Sequence, residues 1–241
     1  MLKRLIRLIK ENPLFVPFLF LIDLLLFVTD LVACIGKREV HPNKLCIIKL
    51  DKIGDYILLR NFLLELPHHA SFKDYEITLI GNSQNKLIVD FLDKNAFHKI
   101  IWIDIYKYAT NIVYRYKLSR QIYQEGFQQA IVPTFSRVLV LDDFVTFVTR
   151  ARLRICQSAH LINMKRWERS IGNLFYTTLH QLPDKILFEF ERNRLFFQSI
   201  TGDDFSTTGL EIQNTQLPNS HPGNYIVIIP GAADKFRQWS P

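Results

Sequence analysis

Leu45–Cys46–Ile47–Ile48–Lys49–Leu50–Asp51–Lys52–Ile53–Gly54–Asp55 decides the reading of this chain. Its first half is a short, nearly all-apolar run, as expected of a strand buried on both faces of a parallel sheet. Its second half puts a glycine and a carboxylate at the mouth of the next helix. The carboxyl end of a strand, where the chain turns into a helix, is where open α/β sheets place ligands and catalytic groups.

Working outward, strand-like and helix-like runs alternate. The strands read are Leu45–Leu50, Tyr75–Ile80, Lys99–Ile103, Gln129–Pro133 and Leu153–Cys156. Between and after them fall the helices Asp55–Leu66, Gln84–Lys94, Thr110–Glu125, Val138–Arg150, Ser170–Gln181 and Lys185–Ser199. Such alternation predicts an α/β fold with a doubly wound parallel sheet. Lys37–Asn43, with Pro42 as a breaker, is read as a connector. Thr201–Gly223 is rich in Ser, Thr, Asn, Pro and Gly and reads as a linker. Beyond it, Tyr225–Ile229 reads as one further strand, running into the loop Pro230–Trp239.

The 241 residues carry a formal net charge of +7 and are 48% hydrophobic, so a real core and anionic partners are both expected. No tract of five or six consecutive Lys and Arg occurs, which places nucleic acid last among those partners. Cys34, Cys46 and Cys156 are odd in number and far apart, against a disulfide framework or a zinc site and in favour of a reducing cytoplasm. The adjacent His68 and His69 follow Pro67 and read as surface loop.

Lys3, Arg4, Arg7 and Lys10 precede an apolar run from Leu14 to Ile35 that Asp23 and Asp30 interrupt. Each charge near a bilayer centre costs at least about 2.5–3.5 kcal/mol, which argues against a simple span. Seven residues apart, the two aspartates share one helical face and leave a wide apolar face opposite. Two readings stand equally: a helix lying in a membrane interface, or one packed on its own protein with both aspartates at a solvated edge. Leu31–Val32–Ala33–Cys34 has the form of a lipoprotein cleavage box, but the run before it is too long and too charged for a signal core.

Asp55 is the candidate general base, since a carboxylate there points into the crevice above the sheet. The plainer role for it is a helix N-cap, worth about 0.5–2 kcal/mol. Asp51 reads as a shaper of the turn, Gly54 as the residue that lets the backbone turn sharply, and Lys49 and Lys52 as solvated cations or phosphate contacts. In the last loop Gly231, Ala232, Ala233, Lys235 and Arg237 offer backbone N–H groups and cations to a phosphate, or form an ordinary surface turn. No dinucleotide or triphosphate glycine motif, nucleophilic serine elbow or metal-ligand spacing is present.

Three stretches together resemble the family 9 glycosyltransferases, the heptosyltransferases of bacterial lipopolysaccharide core assembly. They are Ile47–Asp55; Glu189–Phe190–Glu191–Arg192–Asn193 with Gly202 beyond it; and Tyr225–Trp239. The resemblance covers roughly Leu45 to Pro241. It implies a Rossmann-like sheet as the first half of a GT-B fold, with residues 1–43 an apolar helix and connector, 44–200 the acceptor-side domain, 201–223 a linker and 224–241 the start of a donor-binding domain. It further implies an inverting, metal-independent transfer from a nucleotide sugar, ADP-heptose among the candidates, to an anionic lipid-linked glycan. Asp55 would be the base, Lys49, Asp51, Lys52 and Gly54 its acceptor-side turn, and Gly231, Ala232, Ala233, Lys235 and Arg237 the donor-phosphate contacts. Ala233 and Phe188 depart from the family pattern, and Ser240 separates Trp239 from Pro241. The expected setting is the cytoplasmic face of the bacterial inner membrane, peripherally bound. With most of a donor-binding domain missing, the chain as given is expected to be inactive. The competing expectation is a non-catalytic, membrane-associated glycan-binding remnant of the same fold.

Overall fold

The computed structural model describes residues 16–161, 163–183, 187–203 and 205. All of them belong to one unit, Met1–Glu211. Helix α1 (Val16–Ala33) is followed by β1 (His41–Lys49), α2 (Ile53–Glu65), β2 (Glu76–Asn82), α3 (Lys86–Leu92) and β3 (Lys99–Ile103). The second half adds α4 (Ile105–Thr110), α5 (Ile112–Gln124), β4 (Phe127–Val132), α6 (Phe144–Thr149), β5 (Leu153–Gln157), α7 (Arg166–Asn173), β6 (Thr178–His180) and α8 (Glu189–Thr201). The strand Tyr225–Ile229 and the loop after it lie outside the described residues.

The six strands form one wholly parallel sheet in the order β3-β2-β1-β4-β5-β6. This is the Rossmann order, and it places the topological switch between β1 and β4. Side chains alternate across the sheet. Leu45, Ile47, Ile77, Leu79 and Ile131 face α2 and α8, while Cys46, Ile48, Ile80, Ala130 and Val132 face α5 and α6. Both faces are therefore covered, which is why the central strands read as continuous apolar runs.

On the first face Phe62 packs between Phe190, at 5.0 Å, and Phe197, at 5.8 Å, and the Asn193 amide donates to the Leu58 carbonyl at 3.2 Å, locking α8 onto α2. On the second face α1 forms an extra layer outside α5 and α6. Its Phe27 ring lies 5.2 Å from Phe144 and 4.9 Å from Phe147. Asp30 is fully buried. Arg115 Nε donates to its Oδ1 at 2.9 Å, a second guanidinium nitrogen reaches Oδ2, and the Ser119 hydroxyl adds a bond of 2.8 Å. The expected solvated edge is thus wrong for Asp30: the carboxylate pins the helix to the protein. Cys34, at the end of that helix, donates its thiol to the Val148 carbonyl. Among the described residues no helix is long and apolar enough to cross a membrane.

Several elements differ from expectation. The connector through Pro42 is the first part of β1, where the pairing with β4 shifts register between His41 and Leu45. A shift of this kind tolerates a proline that cannot donate to the ladder. Gly126, before β4, has φ of +66°, and a Cβ there would stand 1.9 Å from the Glu39 carbonyl oxygen, so the turn admits only glycine. The helix read over Val138–Arg150 is a π-helical turn, Leu139–Asp143, followed by the short α6, which ends with Arg150 in the left-handed conformation. The helix read over Ser170–Gln181 is α7 followed by β6, whose three residues carry too little pattern to announce a strand. His69 is not simply loop surface, since it meets Asp203 at 2.9 Å.

Candidate active site at the head of the first strand

At the carboxyl end of β1 the polar groups of neighbouring strands converge. Lys49 is 1% exposed and its ammonium lies 2.8 Å from Asp51 Oδ2. The same oxygen accepts the Thr134 hydroxyl, just past β4, at 2.9 Å. From the end of β2, the Asn82 amide donates to the Leu50 carbonyl at 3.0 Å and the Asn85 amide to the Asp51 carbonyl at 2.9 Å. These contacts fix the turn after β1 from both sides. Asp51 is its shaper, as read. Lys49 is not a solvated cation: it sits on the central strand, buried and paired with Asp51.

Lys52 is the N-cap of α2 and is exposed, while Asp55 occupies the third helical position. Asp55 is therefore not the N-cap. Its carboxylate is half-buried and lies near the Lys52 backbone N–H. Burial raises its proton affinity first, the neighbouring Asp51 charge raises it further, and Lys49 and the Lys52 N–H pull it back. Gly54 has no left-handed φ and lies inside the first turn of α2, so no sharp bend depends on it. A Cβ there would meet nothing within 4 Å, which leaves the backbone beside Asp55 open to an approaching molecule.

Three further groups join the site from distant parts of the sequence. Glu189, opening α8, is pushed up by burial, and it feels the charges of Lys49, Asp55 and Asp51. Arg192 lies 3.6 Å from Glu189 and stacks over the Phe135 ring at 3.6 Å. Asp142, in the π-helical turn, accepts the Val138 N–H at 2.8 Å, and burial with help from Asp51 pushes it up to about 8. Its Oδ1 finds no partner among the described residues. Arg137 and Tyr176 hold the adjacent Asp143 below α6. The sequence signal for these groups was thin. Thr134 follows the strand across the switch, and Glu189 and Arg192 stand in the stretch whose resemblance pointed to a closing helix rather than to the site.

The arrangement is a row of carboxyls at the switch point. Asp51 is paired with Lys49, burial favours the protonated form of Asp142, and Asp55 and Glu189 stay at the mouth. A half-buried carboxylate of raised basicity beside open backbone is suited to taking a proton from a bound hydroxyl. Among the described residues no group of three or more His, Cys, Asp or Glu has the arrangement to hold a metal ion. Gly231, Ala232, Ala233, Lys235 and Arg237 lie outside the described residues.

Among solved structures the chain is similar to a glycosyl transferase family 9 protein from Veillonella parvula. The TM-score is 0.53 at 17% identity, over 74% of this chain and 47% of that one. The fold is a Rossmann-like GT-B half. The chain is also similar to the Escherichia coli heptosyltransferase WaaC with ADP, with a TM-score of 0.49 at 16% identity, over 69% of this chain and 50% of that one. It spans about half the length of the structures it matches. No family model matches the chain, and no curated protein does.

Proposed function

We propose that the chain is the acceptor-side half of a heptosyltransferase-like glycosyltransferase, with Asp55 as its general base. The observation that carries the reading is Asp55 itself: half-buried at the first β-to-α turn, raised in basicity by burial and by Asp51, and flanked by backbone open at Gly54. The fold shared with a family 9 glycosyl transferase supports the same class.

In the proposed step the Asp55 carboxylate takes the proton of an acceptor hydroxyl. The oxygen forms a bond to the anomeric carbon of a nucleotide sugar from the face opposite the leaving group. The bond from that carbon to the diphosphate oxygen breaks, and the nucleoside diphosphate departs with the electron pair, leaving an inverted glycoside. Donor phosphates would be held by the Gly231–Ala232–Ala233 backbone with Lys235 and Arg237. The acceptor proposed is an anionic lipid-linked glycan and the donor a nucleotide sugar such as ADP-heptose.

The test is incubation of the protein, in a form that includes a donor-binding half, with ADP-heptose and related nucleotide sugars and a lipid-linked core glycan. Product is read by mass spectrometry and nucleotide release. A glycan heavier by one sugar is expected. Donor left intact across the whole panel contradicts the reading.

A further inference from the structure

The outer face of α1 is an apolar surface that the fold itself leaves uncovered. Phe18, Leu21, Leu25, Val28 and Val32 follow one another at spacings of three and four, the rhythm of a single helical stripe, and Ile35 lies just past the helix end; all are exposed, Leu21 60% and Ile35 67%. Leu26, Asp30 and Ala33 form the opposite stripe and are buried. Soluble monomers rarely leave so continuous an apolar surface to water. It also continues sideways, because Phe20 meets the Trp167 ring of α7 edge-on at 6.2 Å.

Cations border this face at both ends. Exposed Lys165 and Arg166 lie next to Trp167, and exposed Lys37 follows the helix. Arg120 closes the helix end on the Ala33 carbonyl at 3.1 Å. Lys3, Arg4, Arg7 and Lys10 precede the helix in sequence, with Glu11 the one acid among them. Neither aspartate of α1 stands on the apolar stripe: Asp30 is inside the protein, and Asp23, two turns earlier on the same side, is half-buried.

We infer that this face docks the protein onto an anionic lipid surface, α1 lying flat in the interface with its apolar stripe among the acyl chains and its cations at the headgroups. Charge selects this occupant over a second copy of the chain, since two molecules of net charge +7 would bring basic borders together. The Asp30–Arg115 pair keeps the helix on the protein, so docking needs no helix to leave the fold or cross the bilayer. The inference stands apart from the proposed chemistry, because it uses no residue of the β1 crevice.

Co-sedimentation of the 241-residue protein with phosphatidylcholine vesicles, with and without phosphatidylglycerol, tests it. Binding is expected with the anionic vesicles and is expected to weaken at high salt. Leu21→Glu with Leu25→Glu should lower the partition coefficient by about tenfold or more while leaving the melting temperature in place, since both side chains already face water. Equal binding by wild type and the double variant overturns the inference. So does a wild-type dimer in sedimentation velocity that the double variant splits while neither protein binds vesicles.

Discussion

The helix-start role of Asp55 and its proposed role as base are separable by substitution. As the third residue of α2 it places a negative charge at a helix start, worth about 0.3–1 kcal/mol. As a base it would carry about 10²–10⁴-fold of rate. Its raised proton affinity also moves the acid limb of a rate profile: kcat/KM should fall off at a pH above the ordinary aspartate range of about 3.9, because the carboxylate must be ionised to take a proton. A pH–rate profile flat through that region would remove Asp55 from the chemistry. Gly54 gives a second residue-scale prediction. Gly54→Ala adds a methyl group where no atom lies within 4 Å, so thermal stability should hold or rise slightly, while acceptor affinity measured by calorimetry should drop. Glycine and aspartate in sequence were enough to locate this turn. They misassigned its mechanics, because whether a glycine supplies a bend or merely open space depends on backbone angles that composition does not carry.

At the scale of elements, two buried carboxyls are held in opposite ways. Asp30 joins α1 to α5 through Arg115, and Asp30→Ala should cost about 3–5 kcal/mol in chemical denaturation by leaving the guanidinium buried and unpaired. Replacing Asp30 and Arg115 together by Leu and Met should recover most of that loss. Asp142 makes no ion pair among the described residues, and burial outweighs the pull of Arg137 to set its folded proton affinity far above its unfolded one. The folded state therefore holds a proton that the unfolded state releases above about pH 4, and this contribution to stability is lost as pH rises toward 8. Asp142→Asn, which keeps the acceptor for the Val138 N–H, should flatten that decline: its melting temperature should gain on wild type between pH 5 and pH 8. An unchanged difference across that range contradicts the assignment. Neither burial was legible in the sequence. Asp30 looked like the edge of an amphipathic helix, because nothing local announces that Arg115, eighty-five residues away, will meet it. Asp142 sat inside an apparently ordinary helix whose π-helical turn is set by packing.

For the whole molecule, the legible part was the sheet. Strand β3 matched the reading residue for residue, because its run from Ile100 to Ile103 is wholly apolar and local patterning detects it. The short edge strand β6 lacked that run and was missed. The site was half legible for a related reason. Its near part, Lys49 to Asp55, is contiguous, whereas Thr134, Asp142, Glu189 and Arg192 are gathered only once the strands have ordered themselves around the β1/β4 switch. That order predicts the pattern of hydrogen exchange: amides of β1 and β4, in the middle of the sheet, should outlast those of β3 and β6 at its edges. Early exchange in β1 would contradict the topology. The central claim, that the carboxylate in the first β-to-α turn draws the proton from an incoming sugar hydroxyl, is tested most directly by turnover of Asp55→Asn beside wild type, in a form carrying a donor-binding half. The account predicts a kcat lower by about 10²–10⁴-fold, with acceptor affinity and melting temperature close to wild type. An Asp55→Asn protein that keeps wild-type turnover would contradict it.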